Sequence, residues 1–325
     1  MGLVQQSNLH TENLNYSAIV LTTSENIFQV VKEYLKHTKC YVTGQTSSVQ
    51  SALQYIYSGR ANLIIIDDGN DTPSTAYVRE IISDPIGVLT PMLAMLMDRN
   101  ANEAIHISHL AKIKATRKPL TPSTFPPSFS KLINLWSTNE MRDIREKTKL
   151  SLTASLGDRN TIFQSLLKYP ETACLVTRAI ALNLHQMGKV KEAEAILLEQ
   201  MKKNSHDVGL LTTLGQVYLM SAMPQIANKI FAKIHSKFNE STIAIPDLIQ
   251  SYIIMDEFEK TIDLFKILCK KGYMSNHAPR LLGRILYASG RHKEASYILA
   301  NQENVYRQIE TKWKDTLSEA MEKVS

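Results

Sequence analysis

From Tyr16 onward the apolar positions change period with regularity. "SAIVLTT" is a short continuous apolar run, whereas "ENIFQVVKEYLKHT" places Ile27, Val30, Val31 and Leu35 at helical spacing. "CYVTG" reads as a strand, and "SSVQSALQYIYSG" is amphipathic again, with Ser47 or Ser48 placed to cap it. "NLIIID" is a third apolar run that stops abruptly on Asp67. A helix over "TAYVREIIS", a strand over "PMLAMLM", a helix over "NEAIHISHLAK", a strand over "IKATR" and a helix around "FSKLINLW" complete the alternation. Five strands alternating with five helices predict a parallel α/β sheet covered on both faces, joined by right-handed crossovers in the flavodoxin-like arrangement.

Beyond Trp136 the strand pattern stops, and Gly and Pro become sparse. Four segments, "MGKVKEAEAILL", "SAMPQIANKIF", "MDEFEKTIDLF" and "SGRHKEASYIL", hold Ala193, Ala227, Thr261 and Ala295 at equivalent places, each 34 residues after the last. A fixed period of this length predicts an all-α solenoid of stacked helical pairs, with small residues where helices cross and large ones in the seams. Ahead of it, "TNEMRDIREKTKLSLTASLG" and "RNTIFQSLLKYP" predict one more helical pair that does not obey the repeat. After it, "ENVYRQIETKWKDTLSEAMEKV" sets Val305, Ile309, Trp313, Leu317 and Met321 four apart. Both flanks read as caps, because the ends of such an array need a helix with one polar face.

A chain of 325 residues has room for two cores. The expected division is a leading segment over 1–15, an α/β domain over 16–136 and a helical domain over 137–325, with repeats at about 174–207, 208–241, 242–275 and 276–309. No run approaches the roughly 18 apolar residues of a membrane span, and "MGLVQQSNLHTENLN" lacks the basic and apolar regions of a signal peptide, so a cytoplasmic protein without membrane insertion is expected. "MGLVQQ" matches a myristoylation start only in Gly2. Cys40, Cys174 and Cys269 are far apart and lack metal-ligand spacing, which makes them core fillers.

The net charge of +6 is spread through mixed stretches such as "VKEYLK", "REKTKL" and "VKEAEA", the look of solvated helix faces, and no nucleic-acid partner is expected. The basic stretches lack interleaved stacking aromatics. No Gly-rich phosphate loop follows a strand and no serine sits in a nucleophile elbow. His106, His109, His185 and His292 fall on helix surfaces without ligand spacing. Neither an enzyme nor a cofactor is expected.

The first domain resembles the receiver domain of bacterial response regulators, in which an aspartate at the end of the third strand takes a phosphoryl group. Asp67 holds that place, and "RKPL" supplies Lys118 and Pro119, similar to the lysine-proline pair after strand five. The acidic pair that holds magnesium after strand one corresponds to Thr22 and Thr23. The hydroxyl residue after strand four corresponds to Leu96, and the switch aromatic of strand five to Ala115. A hard divalent cation gains little from two neutral hydroxyls. The resemblance therefore implies a pseudo-receiver with a vestigial site, Asp67 capping a buried strand beside Lys118. The alternative is a phosphorylatable regulator whose output is protein binding by the second half.

The second half resembles the tetratricopeptide repeat family. The unit from Val208 has Leu214, Gly215, Tyr218, Ala227 and Phe231 at consensus places; the next keeps Leu248, Tyr252 and Phe265, with Thr261 for alanine. The unit from Asn276 has Leu282, Gly283, Gly290 and Ala295, and the one from Cys174 has Ile180, Gly188, Ala193 and Leu197. The resemblance implies a concave peptide-binding groove lined by Arg178, His185, Thr212, Gln216, Gln250, Arg280, Arg284 and Tyr287. Arg280 and Arg284, one turn apart, could hold an acidic segment. The lysine and asparagine set that clamps a terminal carboxylate is absent. The function implied is a non-enzymatic adaptor in bacterial signal transduction, binding one or more proteins such as a histidine kinase.

Overall fold

A computed structural model describes residues 16–68, 74–97, 112–237, 244–270 and 277–300. Strands β1 (Tyr16–Leu21), β2 (Cys40–Thr46), β3 (Leu63–Asp67), β4 (Met92–Leu96) and β5 (Ile113–Arg117) make one all-parallel sheet in the order β2-β1-β3-β4-β5. The topology is receiver-like. Every position of β1, β3 and β4 is buried, which is why these strands are continuous apolar runs rather than alternating ones. The edge strand β2 is mixed, and Tyr41 on it is 60% exposed. Pairing of β1 with β2 slips between Ala18 and Ile19, and Thr43, left over by the slip, donates its hydroxyl to the Ala18 carbonyl at 2.9 Å.

Helices α1 (Glu25–Leu35), α2 (Val49–Tyr57), α3 (Ser74–Ile81) and α4 (Phe125–Leu135) connect and flank the strands. Ser24 caps α1, and Ser48 rather than Ser47 caps α2, its Oγ accepting the Ser51 N–H at 3.2 Å. On α1, Val31 and Leu35 are buried and Ile27 is half-buried, but Val30 is 38% exposed. The inward stripe follows the four-residue row of Ile27, Val31 and Leu35, and Val30 lies about 100° off it. Most of "NEAIHISHLAK", with His106 and His109, lies outside the described residues, as do 1–15 and the expected closing helix with Val305, Ile309, Trp313, Leu317 and Met321.

A 3-10 turn over Gly87–Leu89, unannounced in the sequence pattern, follows α3. Asp84 starts it by accepting the Ile86 and Gly87 N–H groups on one carboxylate oxygen, each at 2.8 Å. The backbone then passes so close to the end of α3 that a Cβ on Gly87 would sit 2.1 Å from the Ile81 carbonyl oxygen.

The remaining described elements are helical. The pair α5 (Asn139–Ser151) and α6 (Leu156–Gln164) leads through a short 3-10 turn at Pro170–Thr172 to four hairpins. These are α7 (Ala173–Gln186) with α8 (Val190–Lys203), α9 (Val208–Met220) with α10 (Pro224–Lys237), α11 (Ile245–Ile254) with α12 (Phe258–Lys270), and α13 (His277–Ala288) with α14 (His292–Ala300). Each hairpin turns on one residue in the left-handed region, Gly188, Ala222, Asp256 and Gly290, with φ between 56° and 79°. Just after it, the N–H groups of Lys189, Met223, Glu257 and Arg291 reach back to the carbonyls of Leu184, Tyr218, Tyr252 and Leu286, all at 2.9 Å. This is the Schellman closure of a helix end. It recurs every 34 residues. Ala193, Ala227, Thr261 and Ala295 are all fully buried, and a Cβ on Gly215 would fall 2.6 Å from the Phe231 ring.

The helical half docks on the amino edge of the sheet. Trp136 Nε1 donates to the Lys112 carbonyl at 3.0 Å, and the Arg145 guanidinium lies 4.0 Å from the Tyr16 ring centroid. Helices α5 and α7 both pack on the Gly87–Leu89 turn. Arg79 of α3 pairs with Asp247 of α11, both side chains nearly buried. One apolar cluster runs through both halves from Tyr16 to Leu248.

Candidate functional site

The carboxyl edge of an open parallel sheet is where such folds place their chemistry. Here β3 delivers Asp67 to that edge with 2% of its surface exposed. Both its oxygens are engaged: Lys118 Nζ donates to Oδ1 and Thr22 Oγ1 to Oδ2, each at 2.7 Å. Lys118, positioned by β5, also donates to the Asp68 carbonyl at 3.1 Å. Thr22 accepts the Ser24 N–H at 3.0 Å, so its proton is directed into Asp67 and its remaining capacity into the start of α1. Thr23 is exposed, Leu96 is buried in β4 and Ala115 is half-buried in β5.

Asp68, which sequence reasoning passed over, is 1% exposed. Its Oδ1 accepts the Ser74 N–H at 3.1 Å and its Oδ2 the Met97 N–H at 2.8 Å. It fastens the start of α3 and the end of β4 to the end of β3. The doubled aspartate of "IIIDDGN" was the available signal: one carboxylate meets a lysine and its neighbour meets two backbone donors.

A divalent cation beside Asp67 would require further carboxylate oxygens. The nearest place on β1 belongs to the Thr22 hydroxyl, which points a proton at Asp67, and Asp68 is spent on backbone N–H groups. The described residues at this edge do not fit such an ion. Among the described residues no three His, Cys, Asp or Glu side chains gather into a metal-holding group.

The residues expected to line an open groove are placed very differently from one another. Arg178, Thr212 and Gln216 are 2%, 2% and 6% exposed. Arg178 donates from Nε to Thr213 Oγ1 at 2.9 Å, and its guanidinium lies against Gly209, where a Cβ would be 2.8 Å from Nη1. Burial pushes this guanidinium down to about 10, against the pull of Asp207. All residues of α7 from Leu175 to Leu184, and of α9 from Val208 to Tyr218, are buried. The exposed inner face expected for these first helices is therefore not open in the structure. His185 is half-buried and Gln250 exposed, while Tyr287 is 63% exposed and packs edge-on against His292. Arg280 and Arg284 fall on α13, and their side chains lie outside the described residues.

Cys40 is buried, and burial pushes its thiol up to about 12; Cys174 is half-buried, its thiol also raised by burial. Neither has the lowered value of a reactive cysteine. No helix of the described residues is long and apolar enough to cross a membrane. No protein-family model, curated protein or solved structure matches the chain.

Proposed function

We propose that the chain is a non-enzymatic signalling adaptor: a degenerate receiver domain of flavodoxin-like fold joined to a tetratricopeptide-type array that binds protein. The observation that carries this reading is the closed environment of Asp67. A phosphoacceptor carboxylate must present a free oxygen to the donor and have the charge of the transferring group neutralised. Asp67 instead gives one oxygen to Lys118 and the other to a hydroxyl that stands where the resemblance would place a metal-binding carboxylate.

The array reading is supported by the 34-residue recurrence of left-handed turns, Schellman closures and buried small residues. Because α7 is buried from Leu175 to Leu184 and α9 from Val208 to Tyr218, recognition on the array falls to surface further along, where Gln250 and the exposed Tyr287 lie. Tyrosine there offers a rigid aromatic face with a polar tip, a side chain enriched at protein interfaces. In this reading the receiver-like half acts as a fixed companion of the array rather than a switch.

The test is quantitative capture of partners by the full chain and by Asp67→Asn and Tyr287→Ala. The reading expects an unchanged partner set and yield with Asp67→Asn and reduced yield with Tyr287→Ala. Partners lost by Asp67→Asn at unaltered thermal stability would instead favour a phosphorylation-dependent regulator.

A further inference from the structure

The amino edge of the sheet, opposite Asp67, holds a cavity of about 450 Å³ between the strand starts and helix α5. One wall is built from Ser17, Asn62 and Pro91, which precede or open strands, with Tyr41 of β2 at its side. The other wall is one face of α5, which turns Arg142, Arg145, Thr148 and Lys149 toward it, with Glu146 as the accompanying carboxylate. Arg142, Arg145 and Lys149 are three and four residues apart, so they stand in a single row along the helix.

The inner polar atoms of this face are closed off from water and from the cavity alike, which fixes the two arginine stems in place while Lys149 stays exposed. Arg142 Nε, Arg145 Nε and Nη1, and Thr148 Oγ1 are all buried and have no hydrogen-bond partner. Thr148 is itself only 8% exposed. The Tyr16 ring holds the Arg145 guanidinium 4.0 Å from its centroid, so the head group is set in place rather than left to seek a partner. Three cations and one carboxylate stand on the same α5 wall, and Lys149, Glu146 and Gly59 are exposed at the rim of the cavity.

We propose that this cavity is a binding site for a small phosphorylated molecule, its phosphate held by the cationic row of Arg142, Arg145 and Lys149 and its remainder lying toward Tyr41. Arginine matches phosphate oxygens with paired donors, and a lysine beside it adds a point charge. The volume falls within the range of small-molecule sites. Its walls come from the sheet edge and from α5, so a bound ligand would fasten the two halves together. Such a site is independent of the chemistry at Asp67.

Calorimetric titration of the full chain with AMP, inorganic phosphate and adenosine tests the assignment. AMP is expected to bind more tightly than phosphate, adenosine not at all, and Arg142→Gln or Arg145→Gln to weaken AMP about tenfold or more, as loss of a charge-assisted bond requires. Lys149→Gln, at the exposed rim, keeps the fold and should weaken AMP in the same direction, with a smaller effect at high salt. Absence of heat with both phosphate and AMP would overturn the proposal. So would equal binding of adenosine, or wild-type affinity in Arg142→Gln and Lys149→Gln.

Discussion

At the scale of single residues, a carboxylate brought to the end of a buried strand must have its charge answered locally. Lys118 and Thr22 do this for Asp67, and two backbone N–H groups do it for Asp68. Asp67→Asn keeps one carbonyl acceptor, for Lys118, and turns its amide N–H toward the Thr22 oxygen, so it should cost about 1 to 3 kcal/mol in urea unfolding. Lys118→Met strands a carboxylate that is 2% exposed and should cost about 3 kcal/mol or more. At Asp84 burial is the larger influence. Burial raises its carboxyl above the ordinary value, against the Gly87 and Ile86 N–H groups and the Tyr57 hydroxyl that favour the anion. The folded chain therefore keeps this proton to higher pH than the unfolded one. Its contribution to stability is complete below the ordinary carboxylate pKa and is lost as pH rises through the raised value. Asp84→Asn should remove that share of the fall, seen as a flatter profile of unfolding free energy against pH.

At the scale of elements, the four hairpin turns are built alike although their sequences differ. Gly188 and Gly290 adopt the left-handed backbone at no steric cost, whereas Ala222 and Asp256 adopt it against one. Ala222→Gly should stabilise by about 1 kcal/mol and Gly188→Ala destabilise by a similar amount, both readable in the melting temperature. Gly87→Ala has no such room: its Cβ would meet the Ile81 carbonyl, and a loss of about 1 to 3 kcal/mol is expected. The elements show what a sequence reveals. Buried parallel strands declare themselves as apolar runs, and a 34-residue period declares a repeat, since both are set by local spacing. The Gly87–Leu89 turn was not legible, because it depends on an Asp84 carboxylate meeting backbone two and three residues on.

At the scale of the whole molecule, the misleading residues were polar ones in buried helices. Arg178, Thr212 and Gln216 have the residue types of an open groove, yet tertiary packing closes over them, with Arg178 folded against Gly209 and Thr213. The site at Asp67 was legible down to its lysine because strand order and strand ends fix it; the contact between the halves was not, since it joins Arg79 to Asp247 across distant segments. Asp247→Ala, which removes the carboxylate facing Arg79, should lower stability by about 3 kcal/mol, and the double change Arg79→Met with Asp247→Leu should recover most of it. The central claim is that Asp67 anchors structure and does not accept phosphoryl groups. Intact-mass measurement of the full chain after acetyl phosphate treatment with magnesium decides it most directly: the account predicts an unchanged mass, and a stoichiometric phosphoryl adduct that disappears in Asp67→Asn would contradict it.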